Sequence, residues 1–174
     1  MDELTEENAI RACRQGDKTA YAELVRRHYR HVFALCLGML AHTHDAEDVA
    51  QETMLKGLAG IRHLAKPEQF ESWILRIARN LCIDLLRRRR RAKTVAAKLE
   101  PTPAQEAGEN HDLERALRRL PQELRLPLTM YYFEHRDAKS IAGKLGVSAS
   151  LTYQRIREAR SQLHELLTES DTHE

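Results

Sequence analysis

An all-α chain, with an N-terminal helical bundle and a C-terminal helix-turn-helix domain joined by a flexible linker, is what three observations predict. Apolar residues recur at three- and four-residue steps over long stretches, as on the buried face of a helix. No strand-like alternation of useful length occurs. The helical pattern lapses between Ala92 and Asp112, where Pro101, Pro103, Gly108 and several Glu, Gln and Asn residues gather. The predicted boundaries are 1–91 for the bundle, 92–112 for the linker and 113–174 for the second domain.

The bundle rests on three apolar stripes. Tyr21, Leu24, Val25, His28, Val32, Leu35, Cys36 and Met39 form the first. His42-Thr43-His44-Asp45 breaks it, with Asp45 placed to cap the next helix. Ala46, Val49, Ala50, Thr53, Met54, Gly57 and Ile61 form the second, and Phe70, Trp73, Ile74, Ile77, Leu81 and Leu85 the third. Three or four such helices between about residues 5 and 91 make one small bundle. Beyond the linker, helical pattern resumes at Leu113, stops at Pro121 and restarts near Arg125, so that Pro127 falls in a first turn, where its missing N–H matters little. A segment from Ala138 to Leu145, a Gly146-Val147-Ser148 turn and a helix from Ala149 to about Leu167 complete the chain.

Composition narrows the function. The 174 residues are 42% hydrophobic with only seven glycines and five prolines, which describes a globular, helix-rich protein. The longest apolar run, Val32 to Ala41, is too short to cross a bilayer, which needs about 20 residues. The acidic start lacks the basic-then-apolar order of a signal peptide, so the expected location is the cytoplasm, without membrane insertion. Cys13, Cys36 and Cys82 are widely spaced, with no Cys-x-x-Cys, and support neither disulfides nor a zinc finger.

Charge is the more informative signal. The net charge is only +2, yet Arg87 to Arg91 is an unbroken arginine run, with Arg76 and Arg79 upstream. A local basic patch on a nearly neutral chain is an electrostatic footprint of nucleic-acid binding. Arg76, Asn80, Asp84 and Arg87 share a stripe on the third helix, where arginines would neutralise phosphates and Asn80 could bond a base edge. On the second helix, Asp48, Gln51, Glu52 and Leu55 share the face opposite the apolar one. Duplex DNA would repel such a face; a basic protein surface would attract it.

The C-terminal segment has the layout of a helix-turn-helix. Ala142 allows close crossing, Gly146 can take a left-handed turn, and Ser148 caps a helix that exposes Ser150, Tyr153, Gln154, Arg155 and Arg157. Such a helix lies in the major groove with its first turns on base edges. For catalysis the sequence offers little. His42, His44, Asp45, Glu47 and Asp48 are ligand types at one helix start, without a partner cluster to converge on a metal, and capping explains them. No phosphate loop, nucleophile elbow or paired Cys/His signature occurs. The expectation is therefore no enzyme, no cofactor, no metal and no small-molecule substrate.

Asp45-Ala-Glu-Asp-Val-Ala-Gln-Glu-Thr53, Phe70-Glu-Ser-Trp-Ile-Leu-Arg-Ile-Ala-Arg-Asn-Leu81, the arginine run, Leu120-Pro121, Tyr132-Phe133-Glu134 and the helix-turn-helix stand in one order. Together, over residues 7 to 167, they resemble the extracytoplasmic-function group of bacterial RNA polymerase sigma factors. The resemblance implies that residues 1–91 grip core polymerase and open the −10 element, and that residues 113–174 read the −35 element. It implies polymerase contacts at Asp45, Asp48, Gln51, Glu52 and Leu55. It implies −10 contacts at Arg76, Asn80, Arg87 and Arg88, and −35 contacts at Ser150, Thr152, Tyr153, Gln154, Arg155 and Arg157. The implied partners are core RNA polymerase, promoter DNA as duplex and melted strand, and an anti-sigma factor. A stand-alone helix-turn-helix regulator is the alternative, and a metal hydrolase built on His42 and His44 a third. The first of these leaves the Asp48 face and the Asn80 stripe without a role.

Overall fold

The computed structural model describes residues 5–96, 111–134 and 137–171, and these hold eight α-helices and no strand. In order they are α1 (Glu6–Arg14), α2 (Lys18–Leu40), α3 (Thr43–Gly60), α4 (Phe70–Ala96), α5 (His111–Arg119), α6 (Gln122–Glu134), α7 (Ala138–Leu145) and α8 (Ala149–Asp171). Short 3₁₀ turns at Ile61–His63 and Pro67–Gln69 join α3 to α4.

Local chemistry sets the helix ends. Thr5 caps α1 by accepting from the Asn8 N–H, Asp17 caps α2 from Thr19 and Ala20, and Asp137 caps α7 from Ser140. The cap of α3 departs from expectation. His42 is the capping residue, its ring accepting from the Asp45 N–H at 3.3 Å, and Asp45 lies one turn inside. An imidazole nitrogen can replace a carboxylate there because the orphan N–H needs only one acceptor. Helix α2 ends at Ala41, whose φ of 51° is left-handed without being glycine, and whose N–H bonds the Leu37 carbonyl at 2.8 Å.

Three further boundaries differ from the sequence expectation. Helix α4 continues to Ala96, so the arginine run lies inside a helix and not at its end. The linker expected over 92–112 is thereby shortened at both sides, since α5 begins at His111; its middle, 97–110, lies outside the described residues. Helix α6 begins at Gln122 instead of near Arg125, placing Pro127 in its interior. Proline removes one backbone hydrogen bond there, and Pro127 is instead buried.

The core has two clusters. Ile10, Leu24, Val32, Cys36, Ala50, Phe70, Ile74 and Ala78 belong to the first, from α1 to α4; Leu117, Leu128, Met130, Ile141, Ile156 and Ala159 belong to the second, from α5 to α8. Leu126 of α6 packs against both. The clusters meet where α6 lies along α2. A Cβ at Gly38 would come within 2.6 Å of Thr129 Oγ1 and 2.9 Å of Leu126 Cα, so only glycine permits this approach. Thr129 Oγ1 lies 3.0 Å from the Ala34 carbonyl, and the Phe33 and Phe133 rings meet edge to face at 5.4 Å.

Candidate nucleic-acid and protein interfaces

On α3 the inward positions are Ala46, Val49, Ala50, Thr53, Met54 and Gly57. At about 100° per residue this turns Asp48, Gln51, Glu52 and Leu55 outward together, and all four are exposed, Leu55 to 68%. A leucine so exposed amid acids adds apolar contact to an anionic face. Asp45 does not join them. Its carboxylate meets Arg89 of α4, Nη2 donating to Oδ1 at 2.6 Å and Nη1 lying 2.6 Å from Oδ2, and its side chain is 16% exposed. The residue thus ties α3 to α4, apart from the four exposed positions.

On α4 the outward stripe forms as expected. Arg76, Asn80, Asp84, Arg87 and Arg88 are all exposed, with Ile74, Ala78, Leu81 and Cys82 beneath them. Five successive arginines more than encircle a helix at about 100° each, so the run makes a collar instead of a stripe. One member, Arg89, is held by Asp45; Arg87 lies 4.0 Å from Asp84, a loose surface pair.

On α8 the turn is built as expected. Gly146 takes φ 68°, its N–H bonding the Ala142 carbonyl, and Ser148 Oγ accepts from the Leu151 N–H at 3.2 Å. Ser150, Tyr153, Gln154 and Arg157 are exposed, while Arg155 is half-buried on the flank. Thr152 is a correction. It is fully buried, and its hydroxyl donates to the Ser148 carbonyl at 3.0 Å, so it cannot reach a base. The sequence held the signal: Thr152 precedes Ile156 by four and Ala159 by seven, the spacing of the inward stripe.

Sequence reasoning also missed Arg125 and Arg118. Arg125 is 8% exposed and donates to the carbonyls of Gly38 (2.8 Å), Leu117 (2.9 Å), Leu120 (3.2 Å) and Met39 (3.4 Å). These carbonyls belong to the C-terminal ends of α2 and α5, which lack helical N–H partners and carry the negative end of the helix dipole. Arg118 Nε likewise donates to the Ala41 carbonyl at 3.1 Å. Glu114 accepts from the Thr43 N–H at 2.8 Å, and the Lys144 ammonium reaches Glu71 Oε1 at 2.7 Å. No helix among the described residues is long and apolar enough to cross a membrane.

Two family models match this arrangement: Sigma-70 region 2 over residues 24–92, and Sigma-70, region 4 over residues 110–163. The ECF RNA polymerase sigma factor SigE of Mycolicibacterium smegmatis is 32% identical over 166 residues, spanning 87% of this chain and 64% of SigE. The probable RNA polymerase sigma factor RfaY of Xanthomonas campestris pv. campestris is 31% identical, over 90% of this chain and 43% of RfaY. Against both of these relatives, the chain spans less than two thirds of their length. The ECF RNA polymerase sigma factor SigM of Mycobacterium tuberculosis is 31% identical over 87% of this chain and 79% of SigM. Among solved structures, the sigma factor RpoE in complex with the anti-sigma factor NepR from Bartonella quintana gives a TM-score of 0.63 at 21% identity, covering 85% of this chain and 96% of RpoE. CnrH in complex with the cytosolic domain of CnrY gives 0.62 at 24%, covering 94% of this chain and 97% of CnrH. At such identities the likeness is one of fold.

Proposed function

This chain belongs to the ECF RNA polymerase sigma factors, and from that premise we propose that it binds core RNA polymerase and directs initiation at promoters. The observation that carries the reading is the division of exposed faces. An acidic face on α3 (Asp48, Gln51, Glu52, Leu55) stands apart from a basic, Asn-bearing face on α4 (Arg76, Asn80, Arg87, Arg88) and a polar, Arg-bearing face on α8 (Ser150, Tyr153, Gln154, Arg157). A protein that met only DNA would gain nothing from the first of these.

In this reading α3 docks on a basic surface of core polymerase. Helix α4 neutralises phosphates around the −10 element and holds an unpaired base against Asn80. Helix α8 enters the major groove of the −35 element, Arg157 at its base-contacting edge and Arg155 flanking it. The chemistry of RNA synthesis stays with polymerase, and the setting is the cytoplasm, where both partners are. Two promoter elements two helical turns apart are separated by roughly 70 Å, whereas here α2 packs directly on α6. The packed arrangement is accordingly a closed form, and both elements are engaged only once the seam opens. RpoE was solved with the anti-sigma factor NepR and CnrH with the cytosolic domain of CnrY, and we propose that an anti-sigma partner holds this chain closed.

Promoter-dependent transcription with purified core polymerase tests the proposal, alongside fluorescence anisotropy on one promoter fragment with and without polymerase at fixed salt. The expected result is initiation at defined start sites and promoter binding that strengthens sharply with polymerase. Tight specific binding by the free chain, unimproved by polymerase, would overturn it in favour of a stand-alone regulator.

A further inference from the structure

His28, His31 and Glu71 form a grouping that neither promoter recognition nor polymerase docking uses. His28 and His31 lie one turn apart on α2, and Glu71 opens the facing end of α4. One ligand atom from each falls within 4.8 Å of the others. His31 Nδ1 is 3.0 Å from Glu71 Oε1, and the two imidazoles stand 5.9 Å apart between centroids, nearly perpendicular.

His28 is the unusual member. Its ring is 5% exposed and edge-on to Phe70 at 5.0 Å. Its Nε2 is 3.1 Å from Glu6 of α1, while its Nδ1 is buried without a hydrogen-bond partner. A buried polar atom left so destabilises the fold, and a native protein seldom leaves one unused. One nitrogen against a carboxylate and the other unpartnered is the arrangement of a metal-ligating histidine, whose remote nitrogen is fixed by an outer carboxylate.

We infer that His28, His31 and Glu71 bind a transition-metal dication, Zn²⁺ foremost, and that Lys144 of α7 competes with the metal for Glu71. Two imidazoles and one carboxylate are the donor set of a borderline-soft ion, and three protein ligands leave a position for water. The Lys144 ammonium, 2.7 Å from the same Oε1 that faces His31, holds a positive charge where the metal's would fall. An ammonium and a metal dication on one half-buried carboxylate repel each other, so each weakens the other's hold. Metal entry therefore loosens the Lys144 contact, one of those between the two halves of the molecule.

The test is a Zn²⁺ titration of the full-length chain against a chromophoric chelator, with Co²⁺ absorption as a direct reporter of coordination. One site is expected in the native chain, with Co²⁺ bands of low-coordinate nitrogen and oxygen ligation. His31→Gln and Glu71→Gln should each weaken it about tenfold or more, the least that loss of a ligand costs when outer-shell partners alone are worth that. His42→Gln, at the unrelated histidine pair, should leave it unchanged, and Lys144→Met should tighten it. Circular dichroism melting identifies any variant that loses its fold, and the Co²⁺ spectrum of the native chain decides the matter without variants. Equal affinity in the native chain and the His31→Gln/Glu71→Gln double variant, or the absence of ligand-field bands, would overturn the site. Equal affinity in the native chain and Lys144→Met would overturn the competition.

Discussion

Arg125 Nε donates to the Gly38 carbonyl at 2.8 Å, joining α6 to the end of α2 across the seam between the two halves of the chain. No carboxylate is needed: one planar guanidinium serves the orphan carbonyls of two helix ends at once, and burial pulls its pKa below the usual value. Arg125→Met should destabilise the protein by roughly 2–4 kcal/mol, since it strips several charged hydrogen bonds and leaves buried carbonyls unmet. Arg125→Lys should recover only part of this, because a point charge cannot span both helix ends. Urea unfolding midpoints check both.

Glu114 makes the seam sensitive to acid. Burial alone would raise its pKa, but the Thr43 hydrogen bonds and the attraction of His42 and Arg118 outweigh it and lower the pKa from 4.5. A carboxyl with a depressed folded pKa stabilises the fold above its unfolded value and loses that contribution as pH falls through the folded one. Stability should therefore fall as pH drops below about 4.5, and Glu114→Gln should flatten that part of the profile. Thermal melts across pH 3 to 7 would show it.

The acidic residues of α3 should separate by role. Asp48→Arg and Glu52→Arg should weaken binding to core polymerase while leaving helical content and stability unchanged, because both side chains are exposed. Asp45→Asn should lower stability by less than about 1 kcal/mol, its partner Arg89 being half exposed. Its polymerase affinity should follow that loss alone. A pull-down paired with circular dichroism resolves the two classes.

A similar division is expected on α8. Arg157→Ala should reduce promoter affinity by about 1–3 kcal/mol if it makes a bidentate base contact, or flatten the salt dependence if it meets phosphate. Thr152→Val should leave promoter preference intact and cost about 1 kcal/mol of stability, the net worth of its hydrogen bond to Ser148. Anisotropy over a salt series, with unfolding curves for each variant, measures both effects.

The sequence by itself determined the helices, the helix-turn-helix and the three exposed faces. A helix pattern of 3.6 residues states which side of each segment is apolar, and the outward residues follow from the same count; Thr152 was legible by that rule. It also determined the class of residue at each helix end, though not that His42 would serve where Asp45 stood ready. Tertiary structure alone decided that the two halves pack together. Periodicity tells which face must be covered, not what covers it. Ala34 to Ala41 is buried without a break, and a helix apolar all round must be covered on more than one side, so the run announced a second neighbour. That the neighbour is α6, admitted by Gly38 and held by Arg125 and Thr129, depends on residues some 90 positions apart meeting at hydrogen-bond distance. No local pattern encodes such a meeting, because backbone carbonyls are the acceptors and every residue carries one.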